Sequence, residues 1–92
     1  MIYDIQRFAE EDLPKQSIKS LKKGIRSLKK VIATHEAKIL APELFYPDEW
    51  NTLTDVQKIG NAQHWQKEIA TARQAIFERI AELRKRGVEI DE

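Results

Sequence analysis

Residues 18–31 are two copies of one seven-residue unit, Ile18-Lys-Ser-Leu-Lys-Lys-Gly24 followed by Ile25-Arg-Ser-Leu-Lys-Lys-Val31. A seven-residue period is nearly two turns of an α-helix and matches no strand period, so this repeat predicts a helix. Ile18, Leu21, Ile25, Leu28 and Ile32 recur at steps of three and four, which keeps a narrow apolar seam on one side. His35 and Ile39 extend it. With Ile18 as position a, the basic residues Lys15, Lys19, Lys22, Lys23, Arg26, Lys29 and Lys30 fall at b, e and f and form one solvated flank. The other flank, at c and g, carries Ser17, Ser20, Gly24, Ser27 and Thr34, interrupted by Val31, small enough for a second helix to approach closely. Pro14 fits the first turn of a helix beginning just after Asp12, and Pro42 closes it, because the residue before a proline is pushed out of the α region. The span is roughly 26 residues, or about 39 Å at 1.5 Å per residue.

An isolated helix with this much like charge is marginal in water, so its seam needs a cover. Trp65, Ile69, Ala72, Ile76, Ile80 and Leu83 supply one at the same spacing, with Phe77 widening the stripe and Arg73, Glu78, Arg79 and Glu82 facing mostly water. Thr54-Asp-Val-Gln57 has capping-box spacing, which starts this helix at Asp55 and carries it through Gly60, the place for a kink. Gly87 ends it, after the cationic Arg84-Lys85-Arg86 that suits the negative end of a helix dipole. Two long helices and a connection over residues 41–54 predict an all-α fold, an antiparallel two-helix hairpin with an aromatic connecting loop. Such a hairpin has little core beyond its seam, so pairing into a homodimeric four-helix bundle is the expected assembly. Residues 1–11 read as an N-terminal arm or docking segment, with Ile2, Tyr3, Ile5 and Phe8 as its apolar side chains. Residues 12–87 read as the hairpin domain and residues 88–92 as a frayed C-terminal tail.

At 92 residues the chain is one small domain, burying only roughly 60–65% of the surface its unfolded form exposes. Charged residues at 34% with three Gly and three Pro suit solvated helices. Cysteine is absent, which removes disulfides and thiolate zinc sites, and no apolar run approaches the roughly 20 residues of a membrane span. The expectation is an unsecreted, non-membrane, cytoplasmic protein. Its net charge of +1 hides an asymmetry: residues 15–38 carry eight Lys/Arg against Glu36 alone, net +7, while residues 1–14 and 39–60 are each net −3.

Three of the seven aromatic residues (three Phe, two Tyr, two Trp) fall in Leu44-Phe-Tyr-Pro-Asp-Glu-Trp50, inside the connection. Phe45, Tyr46 and Trp50 are expected to fold over Trp65, Ile39 and Leu40 and close the end of the core, and whatever stays exposed of these rings is a partner anchor. Phe45, Tyr46, Trp50 and Trp65 are therefore the candidate partner-binding residues. The basic face of Lys19, Lys22, Lys23, Arg26, Lys29 and Lys30 is a second candidate surface, for phosphates. Nucleic-acid binding is the less favoured use of it, because the pI is only about 8 and no aromatic residue interleaves the cations. His35-Glu36 opens an HExxH pattern, but position 39 is Ile39 and the zinc pair is incomplete. His64 and Glu68 stand four apart and are too few for a catalytic metal. No Gly-rich phosphate loop and no nucleophile–base constellation stands out, so neither enzyme activity nor a cofactor or metal is expected.

Residues 1–10, MIYDIQRFAE, resemble the LQFFAE-type opening of many head and head-assembly proteins of tailed phages and prophages of Gram-positive bacteria. The matching run is Ile5-Gln6-Arg7-Phe8-Ala9-Glu10, with Arg7 where that group has an aromatic. The run Ser20-Leu-Lys-Lys23, His35-Glu-Ala-Lys-Ile39, Pro42, Tyr46-Pro-Asp48, Trp50, Leu53 and His64-Trp-Gln-Lys-Glu-Ile69 is similar to a helical-hairpin segment of phage minor-head and polymorphic-toxin polypeptides. The resemblances imply a phage or prophage origin, with a place in the bacterial host's cytoplasm or in the virion. The lack of catalytic groups and the incomplete core add a non-enzymatic, protein-binding role. The expectation is therefore a head-associated or assembly accessory. An inhibitor or immunity-type protein that blocks a nuclease, toxin or defence effector is the alternative. A nucleic-acid-binding hairpin is the second alternative.

Overall fold

The computed structural model describes residues 13–90. The arm of residues 1–11 lies outside the described residues. Among those described there are helices and turns and no strand: a 3-10 turn at Leu13–Lys15, α1 at Ile18–Leu40, a four-residue α2 at Pro42–Phe45, a 3-10 turn at Trp50–Thr52, and α3 at Asp55–Lys85. The two long helices pack together.

α1 starts five residues later than Asp12 and Pro14 suggest, because Ser17 is the cap. Its backbone is extended and its Oγ accepts from the Ser20 N–H at 3.0 Å, so the segment around Pro14 is a separate turn. Pro42 acts as expected, ending α1 at Leu40 and opening α2 at its first position. The capping box at α3 is complete: Gln57 N–H donates to Thr54 Oγ1 at 3.2 Å, and Thr54 N–H donates to Gln57 Oε1 at 2.9 Å. α3 runs 31 residues without a break at Gly60.

Leu21 and Ile25, near the start of α1, share a buried cluster with Ile80 and Leu83, near the end of α3. Leu28 packs with Ala72 and Ala75, flanked by Val31, Ile32 and Ile76. The start of one helix thus lies against the end of the other. The small-residue flank permits a close approach at Gly24, whereas Ser17, Ser20 and Thr34 are exposed. What approaches Gly24 is a side chain: a Cβ there would meet Nε of Arg79 at 3.0 Å. Arg79, expected in water, is 1% exposed, and its Nη1 donates to the Ala75 carbonyl at 3.1 Å. At about 100° per residue it stands only some 40° from the Trp65 line, within the face that α3 turns to α1. By the same geometry Phe77 stands roughly 120° away, and it is 63% exposed rather than part of the stripe.

The end of α3 is anchored twice. Gly87 at φ +81° closes a Schellman motif, in which Val88 N–H donates to Leu83 O at 2.9 Å and Gly87 N–H to Arg84 O at 2.9 Å. Val88 and Ile90, both half-buried, then pack on the Leu21–Ile25–Ile80–Leu83 cluster beside Leu13, with Glu89 exposed between them, so residues 88–90 of the expected frayed tail are docked against the helix pair. Arg86 complements this with its side chain, donating to the carbonyls of Gln16 (2.6 Å), Leu13 (2.9 Å) and Pro14 (3.0 Å), while Nε holds Glu82 Oε2 at 2.9 Å. It ties the turn before α1 to the last turn of α3.

Candidate interaction surfaces

α3 is eight residues longer than α1, about 12 Å more, and no residue before Trp65 in it is buried. The connection folds back onto this overhang. Its backbone is ordered by its own turns: Tyr46 N–H donates to Pro42 O and Trp50 N–H to Tyr46 O, both at 3.0 Å. These turns bring Tyr46 and Trp50 to Trp65. The Tyr46 and Trp65 rings stack 6.3 Å apart at 5°, and Trp50 and Trp65 stack 6.1 Å apart at 23°. Lys38 Nζ lies 5.9 Å from the Tyr46 ring centre and Lys58 Nζ 5.6 Å from that of Trp50, each placed to attract the ring's negative face.

Of the four predicted anchors, Trp65 is buried, Tyr46 and Trp50 are half-buried, and Phe45 is 43% exposed. Three of the rings are occupied with one another and with two ammonium groups. Leu40, expected beneath them, is 86% exposed. Leu44 at 78%, Val56 at 79% and Ile59 at 57% are likewise exposed apolar side chains in the connection and the first turns of α3. None of these four is among the sequence-predicted anchors, although a signal exists. Leu40 falls at heptad position b, among the cations, and Val56 lies about 180° from the Trp65 line of α3. Both stand off the buried faces of their helices, which is why they stay exposed.

The six cations Lys19, Lys22, Lys23, Arg26, Lys29 and Lys30 are all exposed, on one side of α1. A cleft of about 230 Å³ lined by Lys22, Ile25, Arg26, Lys29, Glu89 and Ile90 borders them. The described carboxylates of the negative stretch, Glu43, Asp48, Glu49 and Asp55, sit instead in the connection and the first turn of α3.

The histidines are used locally. His35 Nδ1 lies 2.8 Å from the Val31 carbonyl, a contact in which the ring N–H donates. Glu36 pairs with Arg73 at 3.3 Å, and His64 Nε2 lies 3.6 Å from Glu68 Oε1. Among the described residues no three His, Asp or Glu side chains gather as a metal-binding group. No described helix is long and apolar enough to cross a membrane. No family model, curated protein or solved structure matches this chain. Function has to be read from the surfaces themselves.

Proposed function

We propose that this chain is a non-enzymatic protein-binding module, an antiparallel α-helical hairpin that docks a partner protein with the end carrying its connection. The supporting observation is that Leu40, Leu44, Val56 and Ile59, in and beside the connection, are exposed apolar side chains, while the Tyr46, Trp50 and Trp65 rings are engaged with one another. Exposed aliphatic side chains on helix ends that are already folded suit docking, because little backbone freedom is lost on binding. The resemblance of residues 1–10 to phage head proteins motivates an origin in a phage or prophage and a role as a head-associated or assembly accessory. Pairing of two hairpins through the same side chains is the homodimeric form of this reading.

Co-expression with the products of the flanking genes tests it. Wild type is expected to co-purify with one of them and Leu44→Ser/Val56→Ser/Ile59→Ser to lose it, with the thermal melt unchanged. A partner retained in full by the triple variant overturns the reading. Loss of a nuclease's or toxin's activity on binding would identify the inhibitor form of the same interaction.

A further inference from the structure

Along one side of α1 the cations lie exposed in a row. Among the described residues none of Lys19, Lys22, Lys23, Arg26, Lys29 and Lys30 forms an ion pair, whereas Glu36 is paired with Arg73 of α3 and Glu82 with Arg86 at its end. At about 100° per residue the six fall within an arc of roughly 120°, and their spread along the axis is about 16 Å. α1 is held rigidly behind them, its apolar face of Leu21, Ile25 and Leu28 buried against α3. A fixed row of like charges is unfavourable to the free protein and becomes favourable against a partner that brings many anions at short spacing.

Which polyanion fits follows from what the face lacks. A membrane-surface helix needs an apolar side to insert, and here that side is already buried. A protein partner needs exposed apolar or aromatic anchors, and the apolar side chains of the cleft beside these cations are Ile25, 5% exposed, and Ile90, half-buried against the core cluster. Single strands need stacking platforms, and the rings of Tyr46, Trp50 and Trp65 are occupied by one another in the connection. A duplex needs none of these. It presents a charge every ~1.7 Å of axis, so about 16 Å of helix runs beside up to ten phosphates. Five of the six cations are lysines, compact point charges suited to phosphate without base readout.

We propose that the basic face of α1 binds the phosphate backbone of duplex DNA without sequence preference. This surface is separate from the exposed aliphatic side chains in and beside the connection, and the proposal stands or falls independently of the protein-docking reading. Glu89 is the only carboxylate lining the cleft beside Lys22, Arg26 and Lys29, and it opposes the incoming phosphates.

The test is fluorescence anisotropy of the full chain with two labelled duplexes of unrelated sequence, about 20 bp each, titrated at several salt concentrations. With four to six phosphates neutralised, affinity is expected to fall roughly 10²–10³-fold between about 50 and about 200 mM salt, equally for both duplexes. Lys22→Gln/Arg26→Gln/Lys29→Gln should lower the log–log salt slope by about three, and Glu89→Gln should tighten binding. Because the three cations are exposed, the triple variant is expected to keep its helical circular dichroism. No binding at the lowest salt, a triple variant that binds like wild type, or tighter binding to anionic vesicles, polyglutamate or single strands would each overturn the proposal.

Discussion

Gly24 and Arg79 meet across the helix pair so closely that a β-carbon on Gly24 would crowd the arginine, lying 3.0 Å from Nε and 3.4 Å from Cδ of Arg79. The guanidinium beside it is 1% exposed and is tied back to its own helix through the Ala75 carbonyl. Gly60, by contrast, lies in the same kind of regular helix, and a β-carbon added to it would meet nothing within 4 Å. Replacing a helical glycine with alanine ordinarily gains about 1 kcal/mol. Gly60→Ala is expected to realise that gain. Gly24→Ala should give it back by displacing Arg79, ending at least about 1 kcal/mol below Gly60→Ala in urea denaturation. Equal stabilisation by both would show that Arg79 yields freely.

Arg79 and Arg73 are six residues apart on α3 and differ in everything but side-chain type. Arg73 is 64% exposed along its side chain and pairs with the similarly open Glu36, an arrangement worth little in water. Arg79 contributes its whole stem to the helix contact. Arg79→Ala should therefore cost about 2–4 kcal/mol, in the range of a buried leucine, and Arg73→Ala within about 0.5 kcal/mol. Chemical denaturation of the two variants side by side decides the matter; similar midpoints would contradict the buried placement.

Periodicity makes most of this fold legible. The seam of α1 at Leu21, Ile25 and Leu28, the capping box at Thr54, the stop at Pro42 and the glycine at position 87 are local chemistry and stand where their residues predict, whereas Ile18, the expected first residue of the seam, is 41% exposed. Residue type misleads where it conflicts with angular position. A charged Arg79 suggests water and an aromatic Phe77 suggests core, yet the helical wheel places Arg79 on the buried face and Phe77 off it. Two other features are not local at all. Arg86 reaches carbonyls about 70 positions away in sequence, and the packing of Val88 and Ile90 depends on where the Schellman turn throws the chain. The exposed aliphatic residues are hidden for a related reason: the rings stand out in the sequence but are used by the fold, whereas these side chains stand out only by their angle.

Arg86 joins the two ends of the described chain with four hydrogen bonds, three of them to backbone carbonyls at the turn before α1. A planar guanidinium serves these divergent acceptors together, whereas an ammonium is a point donor. Arg86→Ala is expected to cost about 2 kcal/mol, and Arg86→Lys to recover less than half of it. The local signature is faster exchange of the Gln16 amide, which donates to Leu13 O within the turn that Arg86 holds. An unchanged Gln16 exchange rate in Arg86→Ala would show that the turn stands without it.

The stacked rings and the exposed aliphatic side chains in and beside the connection have opposite expected phenotypes. Trp50 is stacked on Trp65 and covered by Lys58, so Trp50→Ala removes a ring contact and a cation–π contact together and should cost about 2 kcal/mol. Trp65→Ala opens a cavity beneath both partners and should cost about 3–5 kcal/mol. Leu44, two residues from Tyr46, has its side chain largely in solvent at 78% exposed, and Leu44→Ser should leave the melt within about 0.5 kcal/mol of wild type. Thermal melts followed by circular dichroism separate these cases. A Leu44→Ser variant that unfolds as readily as Trp50→Ala would mean that this side chain is structural, and the docking role assigned to it would lose its basis. A silent Leu44→Ser leaves it free of any duty to the fold, which is the condition a partner-binding surface must meet.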